Sequence, residues 1–154
     1  MRIYVTGVAG YIGGSFATKM LKQGHTIIGC DNFSNSDNSG INALINNFPN
    51  SFHFDELDIC NEDALLYSLK SSDADYIVHF AALKNIFESE RCRESYTQNN
   101  VVGTKILLSS MKRAKIKRLI FSSSAAVYGD QPDQPVNEKA NLNPISHYAW
   151  TKMT

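Results

Sequence analysis

Tyr148 and Lys152 stand four residues apart in HYAWTKMT, residues 147–154. On a helix, residues at that spacing share a face. An ammonium beside a phenol stabilises the phenolate and lowers its pKa from about 10 toward neutrality. Such a tyrosine can take the proton of a sugar hydroxyl while a hydride leaves the same carbon for a nicotinamide. Ser122, Ser123 and Ser124 follow an apolar run, and a hydroxyl there can hydrogen-bond the reacting oxygen. Alone, YxxxK says little: with seven tyrosines in the chain, a chance match has roughly even odds. Aromatic packing of Tyr148 and Trp150, and turn formation by the serines, are the bland alternatives. Context must decide.

The context begins with TGVAGYIG, which contains Gly7, Gly10 and Gly13 between a short β-rich run and a helical pattern. Glycines there permit a tight turn and close backbone approach to a pyrophosphate. The following helix N-terminus offers free N–H groups and a positive dipole end. Asp31 ends the next strand, 18 residues after Gly13, at the interval expected of a carboxylate that accepts ribose hydroxyls. A structural glycine turn and a turn-forming Asp are the alternatives. A carboxylate at 31 repels a 2′-phosphate, and residues 32–38 include no Arg or Lys to attract one, which favours NAD over NADP.

Other candidates read more simply. Cys30, Cys60 and Cys92 are far apart, with no CxxC pair, which argues against a disulfide framework or zinc site and fits a reducing compartment. Cys30 ends an apolar run and reads as a small buried residue. None of the four histidines is spaced with another for a metal, and His79, inside an apolar strand, reads as a satisfied core residue. Lys84 follows a strand end, where it can reach a phosphate or simply face solvent. MKRAKIKR (111–118) reads as cover for a helix C-terminus.

These residues need a scaffold. The chain has 154 residues with 15 basic and 15 acidic side chains, so no global field attracts nucleic acid or a membrane surface. Its length suits one domain. No apolar run approaches the roughly 18 residues of a membrane span, and the cytoplasm is the default location. Short β-rich runs at 2–6, 26–30, 52–54, 75–82 and 117–124 alternate with helical patterns at 11–24 and 61–69 and within 94–114. Asn61 reads as a helix cap. Residues 32–50 read as loops around one short helix, and 129–144 as surface loop. This alternation predicts an α/β fold, a doubly wound parallel sheet covered on both faces.

Taken together, VTGVAGYIG, DNFSNS, LDI, HFAALK, NNVVGT, FSSSAAVYGD and YAWTK resemble the extended short-chain dehydrogenases, most closely the UDP-glucose 4-epimerases, along the whole chain. The resemblance implies a Rossmann-like NAD-binding domain over 1–154. In it Gly7, Gly10, Tyr11, Ile12 and Gly13 form the pyrophosphate loop. Asp31 and Asn32 contact the adenosine ribose, and Asp58 and Ile59 the adenine. Phe80, Ala81, Ala82, Lys84 and Asn99 line the cofactor, and Ser124, Tyr148 and Lys152 are the catalytic trio. The implied reaction is interconversion of UDP-glucose and UDP-galactose through a 4-keto sugar, with NAD retained. A UDP-sugar is then the partner, with no nucleic acid, membrane or metal.

Three departures stand out: Val8 where the family has glycine, Gly14-Ser15 where it has serine-histidine, and Ala126 where it has threonine. Related dehydratases carry an acidic pair near Ser124, and Ser-Ala-Ala here favours the epimerase. Family members run on for roughly as many residues again. The expectation is therefore an N-terminal portion without the C-terminal substrate domain, and little or no activity for this chain alone. A non-catalytic NAD-binding module or remnant, or another sugar-nucleotide enzyme, is the alternative. The family's homodimer uses the YxxxK helix, of which about seven residues remain here, and this weighs against dimerisation. Isolated helices need roughly 12–15 residues, so Tyr148 and Lys152 are expected to be poorly ordered.

Overall fold

The computed structural model describes residues 1–132 and 135–154, and the chain divides into two compact units. The first comprises Met1–Ala81 and Gly103–Ser122. Its strands are β1 (Arg2–Thr6), β2 (Thr26–Asp31), β3 (Phe52–Glu56), β4 (Tyr76–His79) and β5 (Leu119–Phe121). All pair in parallel in the order β3-β2-β1-β4-β5. Helices α1 (Tyr11–Lys22), α2 (Ser39–Asn47), α3 (Glu62–Ser72) and α6 (Gly103–Arg113) flank the sheet. This is the doubly wound Rossmann-like order that the alternation predicts.

Side-chain alternation along each strand builds a core on both faces. Ile3, Val5, Ile27 and Val78 point to one face, where Ala17 and Leu21 of α1 and Ile41 and Leu44 of α2 close over them. Tyr4, Ile28, Cys30 and Ile77 point to the other, against Leu65 and Leu69 of α3 and Leu107 and Met111 of α6. A strand buried on both faces must be apolar almost throughout, which is why RIYVT and TIIGC read as short unbroken runs. By contrast Ile120 of β5, at the sheet edge, is 55% exposed.

The expected Asn61 cap is present. Its side chain accepts from the Ala64 amide at 3.2 Å, and the helix runs three residues past the expected end to Ser72. Cys30 is fully buried, and burial pushes its thiol up to about 12, as expected of an inert core cysteine. His79 is buried too, its two ring nitrogens 2.6 Å from the Thr6 hydroxyl and 3.0 Å from that of Thr104.

The second unit comprises Ala82–Val102 and Ser123–Thr154. It contains α4 (Ile86–Arg91), α5 (Arg93–Tyr96), a π turn (Thr97–Val102), a 3-10 turn (Ala125–Tyr128) and α7 (His147–Met153). The long helix expected within 94–114 is therefore broken: α5 widens into the π turn before α6 begins. Asn99 and Asn100 lie in the π turn, and weak helix formers whose side chains bond elsewhere suit such a widening. Tyr96 is fully buried, and its hydroxyl accepts from the Asn85 amide at 2.9 Å, anchoring the start of α4. The described residues of 129–144 contain no helix or strand, as expected; 133–134 lie outside the described residues.

The core assignment gives a direct check. Leu107→Ala removes a fully buried side chain and should cost about 2–5 kcal/mol in urea unfolding, whereas Ile120→Ala on exposed β5 should cost less than about 1 kcal/mol.

Candidate active site

The glycine loop follows β1. Gly7 has φ +71°, and a Cβ on it would lie 2.6 Å from the Ala81 nitrogen, so no side chain fits. Its amide and that of Val8 both donate to the Cys30 carbonyl, at 2.8 and 3.3 Å. A Cβ on Gly13 would run into the Gly7 carbonyl oxygen, so the first turn of α1 folds tightly back on the loop. Gly10 caps α1 with extended backbone and no side chain over the helix end. The leading amides of this 12-residue helix thus stay clear of protein side chains, with Tyr11 and Ile12 exposed beside them. The arrangement is a cradle of backbone donors shaped for a phosphate.

Val8 explains one departure. Its side chain is buried above Gly29, where a Cβ would come 2.6 Å from a Val8 methyl. Valine in the loop is accommodated by glycine in the neighbouring strand, a pairing that strand periodicity alone does not reveal.

Asp31 does more than the spacing suggests. One carboxylate oxygen accepts from the Ala9 amide at 3.0 Å; the other accepts from the Phe33 amide at 3.0 Å and the Ser36 hydroxyl at 3.1 Å. It therefore ties the glycine loop to the loop after β2, and the half-buried carboxylate still has acceptor capacity for a ribose hydroxyl. Asn32 donates to Asp58 at 3.0 Å, joining two more of the expected residues. Ile59 differs from the others: its side chain is buried in the core, which leaves only its backbone for an adenine. Phe80 is half-buried against Phe16, and the Ala81 amide donates to Thr6 Oγ1 at 3.2 Å.

The second unit holds the remaining candidates. Ser124 caps the 3-10 turn by accepting from the Ala126 amide at 3.2 Å, and its O–H proton remains available to donate. Lys84 is exposed, while Asn99 is half-buried and donates to Asn100 Oδ1 at 2.9 Å.

Tyr148 and Lys152 both lie on α7, and the seven-residue helix is formed, contrary to the expectation from isolated-helix stability. The reason lies at its N-terminus. Glu90 accepts from the His147 amide at 2.6 Å, Ser89 from Tyr148 at 3.0 Å and Ser146 from Ala149 at 3.1 Å. Trp150 donates to the Ser146 carbonyl at 2.9 Å. Each leading amide that a short helix leaves unsatisfied thus has a partner. The His147 amide, and then the Arg93 guanidinium, hold Glu90 below the usual carboxylate range. Ala149, Thr151 and Lys152 are buried, and α7 packs against α4, α5 and both turns.

Burial also lowers the Lys152 pKa from 10.5 to about 8, because desolvation disfavours the ammonium. Near neutrality the side chain still carries its charge. The residues missed in the sequence are Ser89, Glu90, Asn100 and Thr151, which hold this unit together. Only the Asn-Asn doublet inside a helical pattern hinted at any of them. Among the described residues, no group of three or more His, Cys, Asp or Glu is placed to hold a metal, and no helix is long and apolar enough to cross a membrane.

Comparison with known proteins gives one consistent result. A model of the NAD dependent epimerase/dehydratase family matches residues 3–154. UDP-glucose 4-epimerase of Dictyostelium discoideum is 38% identical over 152 residues, covering 99% of this chain and 44% of that protein. UDP-glucose 4-epimerase of Klebsiella pneumoniae is 39% identical over 138 residues, covering 90% of this chain and 99% of that one. The crystal structure of UDP-glucose-4-epimerase from Stenotrophomonas maltophila, with bound NAD and formylated UDP-arabinopyranose, superposes with a TM-score of 0.94 at 35% identity. It is covered to 46%, against 99% of this chain. The chain thus spans less than half the length of the Dictyostelium and Stenotrophomonas proteins.

The buried lysine makes stability depend on pH. Between pH 8 and 9 Lys152 holds more proton in the unfolded chain than in the folded one, so stability should rise with pH there, whereas above pH 9 the buried Cys30 thiol acts in the opposite sense. Lys152→Met should abolish this rise and add about 1–3 kcal/mol at pH 7, measured by urea unfolding across the pH range.

Proposed function

The chain belongs to the NAD dependent epimerase/dehydratase family, and we propose that it provides the NAD-binding and proton-transfer portion of a UDP-hexose 4-epimerase. The observation that carries this reading is α7, a fully capped short helix that places Tyr148 one turn from a buried lysine. The cradle fits NAD. Gly7, Gly10 and Gly13 leave room for the pyrophosphate against the N-terminus of α1, and Asp31 offers a carboxylate to the adenosine ribose. Asn32, Asp58, Phe80, Ala81, Ala82, Lys84 and Asn99 complete the proposed cofactor set, with Tyr11 and Ile12 contributing backbone amides and Ile59 its main chain.

A bound NAD would supply the hydride acceptor for C4 and the donor for its return. The protein moves the proton. Lys152 lies one helical turn from Tyr148 on the same face of α7, and Tyr148 takes the proton of the C4 hydroxyl. Ser124 donates its free O–H to the same oxygen. As the 4-keto sugar forms, that bond strengthens on an oxygen that is partly anionic in the transition state. Tyr148 then returns the proton after the ketone is reduced on its other face. Burial keeps water away from Lys152, so its charge acts at low effective dielectric.

A second reading, an NAD-binding module without turnover, draws on the coverage. The chain spans under half of the Dictyostelium and Stenotrophomonas proteins, yet nearly all of the Klebsiella one. One set of measurements separates the readings. NAD should bind the 154-residue chain in calorimetry at least about tenfold more tightly than NADP, and Asp31→Ser should narrow that ratio. UDP-galactose conversion by the chain alone should run at least about a hundredfold below that of a full-length relative, since most contacts to the non-reacting part of a substrate normally drive the chemical step. Normal turnover would reject the module reading, and failure to bind NAD would reject both.

A further inference from the structure

His147, the residue before Tyr148, is held both by its main chain and by its ring, within the second unit. Its amide donates to one carboxylate oxygen of Glu90 at 2.6 Å, and the other oxygen of Glu90 accepts from the Arg93 guanidinium at 2.5 Å. The ring reaches the same segment. Nε2 lies 3.0 Å from the Arg93 carbonyl oxygen and 2.9 Å from Thr97 Oγ1. That carbonyl also accepts from the Thr97 amide, where α5 ends. The ring stacks on Trp150 of α7, with centroids 5.2 Å apart and planes 22° from parallel.

A carbonyl oxygen only accepts, so its bond to the ring places a proton on His147 Nε2. Thr97 Oγ1 is the second acceptor of that proton, and in the neutral ring Nδ1 is the bare nitrogen. We infer that His147 is a positioning residue for Tyr148: through its Nε2–H it fixes the first turn of α7 to the end of α5. The inference rests on the proton-transfer role proposed for Tyr148; the contacts stand without it. The other bonds to this turn that cross to another helix come from Ser89 and Glu90, both on α4. Bonds to one helix alone leave a seven-residue helix free to pivot, and the imidazole adds a second anchor on α5. The Glu90 bond uses the main chain of residue 147, so it survives a change of the ring and does not replace it. Phenylalanine at 147 keeps a ring to stack on Trp150 but has no donor for Arg93 and Thr97. Glutamine keeps an N–H donor at similar reach but loses the stack.

The test is amide hydrogen exchange on the full 154-residue chain, without NAD or sugar, comparing the unsubstituted protein with His147→Phe and His147→Gln. Exchange at the Tyr148 and Trp150 amides should quicken at least about tenfold in His147→Phe, while amides of β1 and β4 keep their rates. His147→Gln should stay within about threefold of the unsubstituted protein at the same amides. Nitrogen-15 spectra of the unsubstituted chain in alkaline buffer, where imidazole is neutral, should show the His147 proton on Nε2. If His147→Phe does not fold, those spectra and the His147→Gln rates decide. The inference is overturned if phenylalanine leaves the α7 rates unchanged, if β1 and β4 quicken equally, if glutamine quickens α7 at least about tenfold, or if the proton lies on Nδ1. Because no ligand is present, these outcomes stand apart from those of the NAD and UDP-galactose measurements.

Discussion

The first unit depends on the close approach of Gly7 to the chain leaving β4. At φ +71°, with the Ala81 nitrogen where a Cβ would be, this residue has no room for a side chain. The contact lets β1 turn tightly toward α1, whose open N-terminus lies beside the loop. Neighbouring interactions follow from it. The Gly7 and Val8 amides share the Cys30 carbonyl, and Asp31 takes the Ala9 amide. The Thr6 hydroxyl takes the Ala81 amide while bonding His79. Loop, strand ends and carboxylate therefore form one hydrogen-bonded surface, and a phosphate cradle results from the packing that completes the sheet.

The second unit solves a different problem. Its helices are too short to be stable alone, since nucleating a helix costs more than one or two turns return. Here side chains satisfy the helix ends. Asn85 caps α4, and Ser89, Glu90 and Ser146 cap α7. Burial of Ala149 and Thr151 adds the apolar contribution that the helix lacks by itself. The burial that steadies α7 also desolvates Lys152, so structural order and a depressed lysine pKa share one cause.

Several features were legible in the sequence because they are local or periodic. The glycine spacing, the acidic end of β2 and the alternation of strands and helices gave the doubly wound fold. Asn61 was readable as a cap because its partner lies three residues away. The widened helix was not readable, because the π turn depends on where the side chains of Asn99 and Asn100 find partners, and Leu83 and Thr151 are distant in the chain. Nor was the burial of the Ile59 side chain, which packs against Gly103.

The sequence by itself determined the fold class, the glycine loop, the candidate carboxylate and the pairing of Tyr148 with Lys152. Each follows from backbone stereochemistry or from the period of a helix or strand. The tertiary structure decided that α7 is ordered, that Lys152 is desolvated and that Asn100 bonds Leu83 and Thr151. Those outcomes depend on hydrogen bonds between residues some 50 to 60 positions apart, such as His147 with Glu90 and Thr151 with Asn100. Local propensity carries no information about such partners, because only the folded chain brings their donors and acceptors within reach.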